Sequence, residues 1–231
     1  MAYQQIRNTG NEDYRDLWIK NTITKLSSDS SGSIVLDVGA GLSPYRGIAE
    51  KLGWNYLSHD FSAYIPSEES QGLQNESWDY VEHDYVCDIL EIPLSINPKL
   101  VLCTEVFEHI PDPVRAFQRI SLLLEKDGYI LITVPFMSLM HQAPFWFQSG
   151  LSPFWFEYWA KENNLKVIEL TVYGDYVDLM SQEINRLLGS FLKIRGLGRV
   201  ISWIVRRFRR ILKQEILSSG GFGVAFLGQK I

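Results

Sequence analysis

Apolar and polar positions along this chain fall into short blocks that switch period. Ile34-Val-Leu-Asp-Val38 is apolar at four of five positions and reads as a buried strand. Comparable runs follow at residues 53–60, 80–88, 99–104, 129–135, 166–173 and 221–228. Between them the spacing turns helical. Ile48, Ala49 and Leu52 follow Tyr45, residues 114–124 form an amphipathic stretch closed by Lys126-Asp-Gly128, and Ser152-Pro153 opens another helix. Strands alternating with helices at this spacing predict an α/β fold, a doubly wound, mostly parallel sheet with right-handed crossovers.

The flanks behave differently. Residues 1–33 read as a polar leader and one helix, with Leu17, Trp18, Ile23 and Leu26 on its apolar face and a Ser-rich linker at 27–32. This N-terminal helical cap is expected to pack on the core, with a role in covering a ligand as the alternative. Residues 34–177 and 216–231 form the expected core. Residues 178–215 form a helical insertion before the last strand. Eight aromatics crowd residues 145–159, and half of them are expected in the core and half in a lid over an acceptor.

Composition adds bounds. A chain of 231 residues, 46% apolar and 21% charged, fits one globular domain with extra helices and excludes general disorder. Two cysteines, Cys87 and Cys103, form no disulfide framework and suit a reducing compartment. The N-terminus lacks the apolar stretch of a signal peptide, and no run reaches the ~20 apolar residues of a spanning helix. The expected location is cytoplasmic, with contact to the inner face of a membrane.

That contact is suggested by charge. The net charge of −5 conceals nine basic residues and no acid at 186–213, which leaves −14 on the remainder. At about 100° per residue, Leu197, Ile201, Ile204, Phe208 and Ile211 share one face. Arg199, Arg206, Arg210 and Lys213 fall opposite, with Trp203 and Arg207 at the flanks. A basic amphipathic helix lying in a membrane interface is one reading, and a helix docked on the sheet with a solvated arginine face is the other. A nucleic-acid partner is not expected, because residues 1–185 are acidic overall.

The candidate chemistry begins at Gly39-Ala-Gly41. Two glycines after a strand let the backbone turn sharply and approach a ligand, and the loop ends near a helix N-terminus, where amide donors collect. Asp60 lies 21 residues past Gly39, the spacing of an acid that holds ribose hydroxyls. His59 beside it reads as a loop histidine. Asp88, or Asp84 in its place, suits an adenine amino group. A dinucleotide-dependent dehydrogenase would want a third glycine where Pro44 stands, and proline has no amide to give a pyrophosphate, so hydride transfer is excluded.

Taken jointly, Val35-Leu-Asp-Val-Gly-Ala-Gly41, Asp60, Cys103-Thr-Glu-Val-Phe-Glu-His-Ile-Pro-Asp-Pro113 and Lys126-Asp-Gly-Tyr-Ile-Leu-Ile-Thr-Val-Pro-Phe136 resemble the class I S-adenosylmethionine-dependent methyltransferases over most of the chain. The Gly-x-Gly-x-x-Pro-Tyr loop and His141-Gln-Ala-Pro144 resemble a subgroup active in polysaccharide and natural-product pathways. The resemblance implies a seven-stranded Rossmann-like sheet with an antiparallel last strand, and S-adenosylmethionine as cofactor. It implies Asp37 near the cofactor's ammonium, and Gly39, Ala40, Gly41 and Tyr45 around its amino acid moiety. Asp60 would then hold the ribose, Asp88 and Ile89 the adenine, with Thr104 beside them. The implied reaction is O-methylation of a sugar, glycan or small-molecule hydroxyl, the acceptor free or lipid-linked.

Methyl transfer to oxygen requires removal of a proton, by a base or through a metal that lowers the hydroxyl pKa. His141, His109 and Glu105 are the catalytic candidates. Glu105, Glu108 and His109 have i, i+3, i+4 spacing, which on a helical turn gathers them on one side. With His141 they resemble the Mg²⁺-type divalent-metal sites of small-RNA 2′-O-methyltransferases and ubiquinone-pathway O-methyltransferases. A metal-free site with a histidine base is the expected version. RNA-end methylation and a non-catalytic partner subunit are the alternatives carried forward.

Overall fold

The computed structural model describes residues 3–6, 14–29, 31–66, 71–73 and 81–231. Parts of the polar stretch expected as a loop at 61–79, and the Tyr80 start of the third strand, lie outside the described residues, as does the leader at 1–2 and 7–13. Among the described residues eight strands form one sheet. In chain order they are β1 (Gln4–Ile6), β2 (Ile34–Val38), β3 (Asn55–Asp60), β4 (Tyr85–Val86), β5 (Leu100–Thr104), β6 (Tyr129–Pro135), β7 (Leu165–Tyr173) and β8 (Gly223–Lys230). Their spatial order is β1-β7-β8-β6-β5-β2-β3-β4, parallel throughout except for β8, which runs antiparallel to both β6 and β7. This is the doubly wound α/β sheet that the pattern predicts, with one strand more than seven. The addition is β1, whose three residues carry no periodic signal of their own. It pairs with the β7 edge, and the Gln5 amide donates to the carbonyls of Gly174 and Gly220 at 3.2 and 3.1 Å.

Alternation along the strands builds a core on each face. Leu36, Val38, Val101, Cys103, Ile130, Ile132, Val224 and Phe226 point to one side. There they meet α3 (Pro113–Leu123) and α4 (Pro153–Glu162), whose Phe117 and Phe156 are fully buried. Phe156 stacks on Phe226 with ring centroids 5.1 Å apart. Truncating either ring to alanine costs about 3–5 kcal/mol. Val35, Leu100, Leu102, Leu131 and Ala225 point to the other side, against α1 (Tyr14–Leu26) and α2 (Arg46–Lys51). α1 buries Trp18, Ile19 and Ile23 and leaves Leu17 exposed, and the Trp18 indole donates to Glu169 Oε1 at 2.7 Å.

Between β7 and β8 the chain leaves the sheet as α5 (Tyr176–Asn185), a π-helical turn (Arg186–Phe191), α6 (Arg195–Phe208) and α7 (Gln214–Leu217). Asp175 caps α5 in a reciprocal box with Asp178. α6 packs on α5 rather than on the sheet, and the buried side chains it uses differ from the expected stripe. Gly198 lies against Asn185 and Leu188, and the Ser202 hydroxyl donates to the Ser181 carbonyl at 3.0 Å. Arg209, just past the helix, pairs with Asp175 at 2.8 Å and with Asp178. Leu197, Ile204, Phe208 and Ile211 therefore stay exposed, while Ile201 is half-buried. Among the described residues no helix is long and apolar enough to cross a membrane.

Candidate active site

The strand order reverses between β2 and β5, and a cavity of about 1280 Å³ opens beyond the carboxyl ends of the strands there. Val38 at the end of β2 with residues 39–41 after it, Asp60 at the end of β3, Asp88 after β4, Thr104 at the end of β5 and Pro135 at the end of β6 all contribute to its wall.

The glycine loop shapes one side. Gly39 and Gly41 have φ of +70° and +53°, in the left-handed region that side chains disfavour. A Cβ on Gly39 would stand 2.4 Å from Val106, so the loop after β2 closes directly on the turn after β5. A Cβ on Gly41 would meet nothing within 4 Å, leaving its backbone open. The loop is pinned to β3 by the Ala40 amide on the His59 carbonyl at 2.9 Å and by the Gly41 amide on Asp60 Oδ2 at 3.0 Å. Asp60 Oδ1 accepts from the Ser62 amide at 2.7 Å. Both oxygens are thus oriented by backbone and keep further lone pairs for a ligand hydroxyl. Tyr45 and Ile89 line the same half of the cavity. This arrangement fits an amino acid and nucleoside ligand: an open glycine backbone and an oriented carboxylate beside it.

Two acids are sorted by the structure. Asp84 is absent from the cavity wall. It accepts from the Ser58 amide and hydroxyl at 2.8 and 2.9 Å and faces Arg46 at 3.6 Å, so it ties β3 to the approach to β4. Asp88 lines the cavity and caps the next turn by accepting from the Leu90 amide at 2.8 Å. Asp37, expected near the cofactor's ammonium, is 1% exposed and lies behind the loop, outside the cavity wall. Its carboxylate accepts from the Tyr56 hydroxyl at 2.5 Å. Burial pushes its pKa up to about 7, with the Tyr56 hydrogen bond working against that rise. His59 is a buried strand residue rather than a loop residue. Its Nε2 faces the Cys87 carbonyl at 3.0 Å, and burial lowers its pKa.

The opposite side holds the titratable cluster. Glu105 leaves β5 with φ of +56°, and Phe107–His109 then forms a 3₁₀ turn. The left-handed residue breaks the helical register that would gather Glu105, Glu108 and His109. Glu105 Oε2 instead lies 3.1 Å from Arg15 Nη1, on α1. Of the four-residue grouping that the resemblance implies, the structure brings three together. Ligand atoms of Glu108, His109 and His141 lie within 4.8 Å of one another, and the two imidazoles meet edge to face at 4.8 Å. His109 Nδ1 is 2.5 Å from the Phe145 carbonyl, which fixes that nitrogen as the donor and leaves Nε2 bare, 3.8 Å from Glu108 Oε1. Burial lowers the His109 pKa to about 4. Glu108 is 1% exposed, and burial, then the neighbouring Glu105 charge, raises its pKa well above the ordinary range.

The loop that brings His141 is held at two places. Leu73 and residues 140–142 exchange backbone bonds of 2.9 Å, and Gln148 donates to the Phe107 carbonyl at 3.0 Å. The aromatic run is spread over three environments. Phe145 and Phe147 line the cavity, Phe156 is core, and Phe154 and Tyr158 are exposed. Sequence reasoning missed Tyr14, Arg15, Leu73, Gln182 and Arg186 in the wall. Only the first two had a signal, in the expectation that the N-terminal helix covers a ligand.

A doubly wound sheet with this glycine loop, an oriented acid after β3 and an antiparallel last strand defines the class of Rossmann-like nucleoside-cofactor proteins. A family model described as a methyltransferase domain matches residues 11–173, and the chain belongs to that family, the S-adenosylmethionine-dependent class I methyltransferases. No curated protein sequence matches it. Among solved structures it is similar in fold to an S-adenosylmethionine-dependent methyltransferase from Archaeoglobus fulgidus, at 16% identity and a TM-score of 0.54, covering 94% of this chain and 100% of that one. It is similar to the trans-methyltransferase CalH in complex with S-adenosylhomocysteine, at 12% identity and 0.55, covering 92% and 55%. A third is the Burkholderia thailandensis 1,6-didemethyltoxoflavin-N1-methyltransferase, at 15% and 0.50, covering 94% and 81%. The protein is an S-adenosylmethionine-dependent methyltransferase.

Proposed function

We propose that the chain methylates a hydroxyl oxygen of a sugar, glycan or other small-molecule acceptor, with His141 as the base and His109 beside it. The bound cofactor supplies an electrophilic methyl group on a sulfonium. Asp60 would hold its ribose hydroxyls, Asp88 and Ile89 its adenine, and the glycine loop at residues 39–41 its amino acid end. The observation that supports oxygen chemistry is the pair of imidazoles, His109 and His141, in the wall opposite that loop. His141 Nδ1 lies 2.9 Å from the Leu139 carbonyl, so its Nε2 is the free lone pair able to take a hydroxyl proton. The low pKa of His109 makes it a neutral neighbour that positions an acceptor rather than a base of useful strength. A lipid-linked form of such an acceptor, met at a membrane face by residues 186–213, belongs to the same reading.

One observation favours a second version. Glu108, His109 and His141 bring an oxygen and two nitrogens within 4.8 Å, a donor set able to hold a divalent cation against a vicinal diol. Turnover of diol-bearing acceptors, with and without a chelator, separates the two. The metal-free version expects no loss with chelator. In either version His141→Ala lowers kcat by about 100-fold or more with cofactor affinity unchanged in calorimetry. Asp60→Ala weakens cofactor binding by roughly 10–100-fold through lost charged hydrogen bonds. Unchanged turnover in His141→Ala would exclude this residue from both versions.

A further inference from the structure

The outward side of α6 has a makeup that neither solvent nor a folded neighbour explains. Docking on α5 consumes one narrow sector of the helix, formed by Gly198, Ser202, Val205 and Arg209. At about 100° per residue the remaining arc splits in two. Leu197, Val200, Ile204 and Phe208, continued by Ile211 on the following turn, form an apolar half. Arg199, Arg206, Arg207, Arg210 and Lys213 form a basic half, all exposed. Trp203 stands in the basic half, 59% exposed, with the Arg207 guanidinium 4.8 Å above its ring. Ile211 is 74% exposed and Phe208 53%. Contiguous apolar exposure on this scale marks an interaction surface in a soluble domain.

From this three-sector geometry we infer that α6 seats the protein on an anionic lipid surface. The apolar half enters the boundary between headgroups and acyl chains, Trp203 sits at headgroup depth, and the five cations reach lipid phosphates. Charge selects this occupant. A second copy would bring the same five cations face to face. A nucleic acid would satisfy the arginines and leave Leu197, Ile204 and Phe208 in water. A neutral apolar partner would leave the arginines unused. The −14 on the rest of the chain also favours this orientation, because an anionic surface repels that remainder as a whole and attracts the basic half of α6.

The placement bears on the acceptor, and here it rests on the reading above. Ser181, which receives α6, is followed by Gln182, which lines the cavity, and Arg186 lines it one turn further on. A lipid-borne acceptor held at the surface would reach the cavity along that rim.

Flotation of the full chain with phosphatidylcholine vesicles, and with vesicles containing phosphatidylglycerol, tests the inference. The expected result is binding to the anionic vesicles alone, weakened by salt. Arg206→Glu, Arg207→Glu and Arg210→Glu together should lower the partition coefficient by about 100-fold or more, and Trp203→Ser with Phe208→Ser by about tenfold. Cofactor calorimetry on the same samples should be unchanged, which shows that the variants fold and keeps this inference separate from the methyltransferase reading. Absence of binding overturns it. So does binding that survives both sets of substitutions, or a dimer in solution whose α6 is protected from labelling without vesicles.

Discussion

Asp37 shows how a residue with a motif address can take a structural post. The pattern at 35–41 names it a site acid, but strand alternation turns it away from the cavity, onto the face where Tyr56 meets it. Its folded pKa of about 7 stands above the 3.8 of an exposed carboxyl, so between those values the folded chain holds a proton that the unfolded chain has released. The linkage sign follows. This group favours the folded state most at low pH, and the benefit is lost as pH rises towards 7, by up to about 4 kcal/mol over the window. Urea unfolding of the wild type should therefore show a component of stability that declines from pH 4 to pH 7. Asp37→Asn keeps an acceptor for Tyr56 and should flatten it. An unchanged slope in the variant would assign the decline to other groups. Glu105 lines the cavity but stands outside the cluster of Glu108, His109 and His141 for a different reason. Residue spacing implies a helix, and nothing in the side chains around it announces a left-handed residue at 105. The sharp exit from β5 leads into Val106, which the loop after β2 crowds at Gly39.

That crowding is a property of two elements together. The loop after β2 and the turn after β5 touch at Gly39 and Val106, and the two walls of the cavity share this contact. Gly39→Ala adds a methyl 2.4 Å from Val106 Cγ2 at a backbone angle that costs about 1–2 kcal/mol by itself. The turn carrying Glu108 and His109 must then give way. Expected outcomes are a stability loss of about 2–4 kcal/mol and weaker cofactor binding. Adding Val106→Ala should restore part of both, because it removes the clash and leaves the backbone strain. A double variant no better than Gly39→Ala would show that the strain alone matters. The glycines were legible because Gly-x-Gly directly after an apolar run marks a sharp turn that glycine takes at least cost. Their partner across the switch point was not, since contact between two loops leaves no period in the sequence. The same limit hid Arg15, Leu73 and Gln182, which reach the cavity from elements remote in the chain.

At the scale of the molecule, the alternation of strands and helices made the parallel core and its antiparallel last strand readable, because β2, β3, β5, β6, β7 and β8 are long enough to carry a period. The three-residue β1 is too short for that. The insertion was readable as basic and amphipathic, but not in how it docks. Hydropathy assigns apolar positions to the buried side, whereas α6 buries Gly198, Ser202 and the Arg209 ion pair instead. A helix attached this way has few apolar contacts to lose. It should detach at a cost well below global unfolding, while β2, β5, β6 and β8, buried on both faces, should open only with the whole fold. Hydrogen exchange should show this as a clear gap in protection between α6 and the central strands. Arg209→Ala sharpens the test. It leaves the buried Asp175 and Asp178 carboxylates unpaired while α6 is docked, and water can reach them once α6 has left. The penalty is thus limited to the docking free energy. Exchange in α6 should rise about tenfold or more with no change in the strands. A uniform rise across the sheet would instead make α6 part of the cooperative core. Anionic vesicles, if they take the outward face of α6, should lower exchange there in the wild type and leave the sheet as it was.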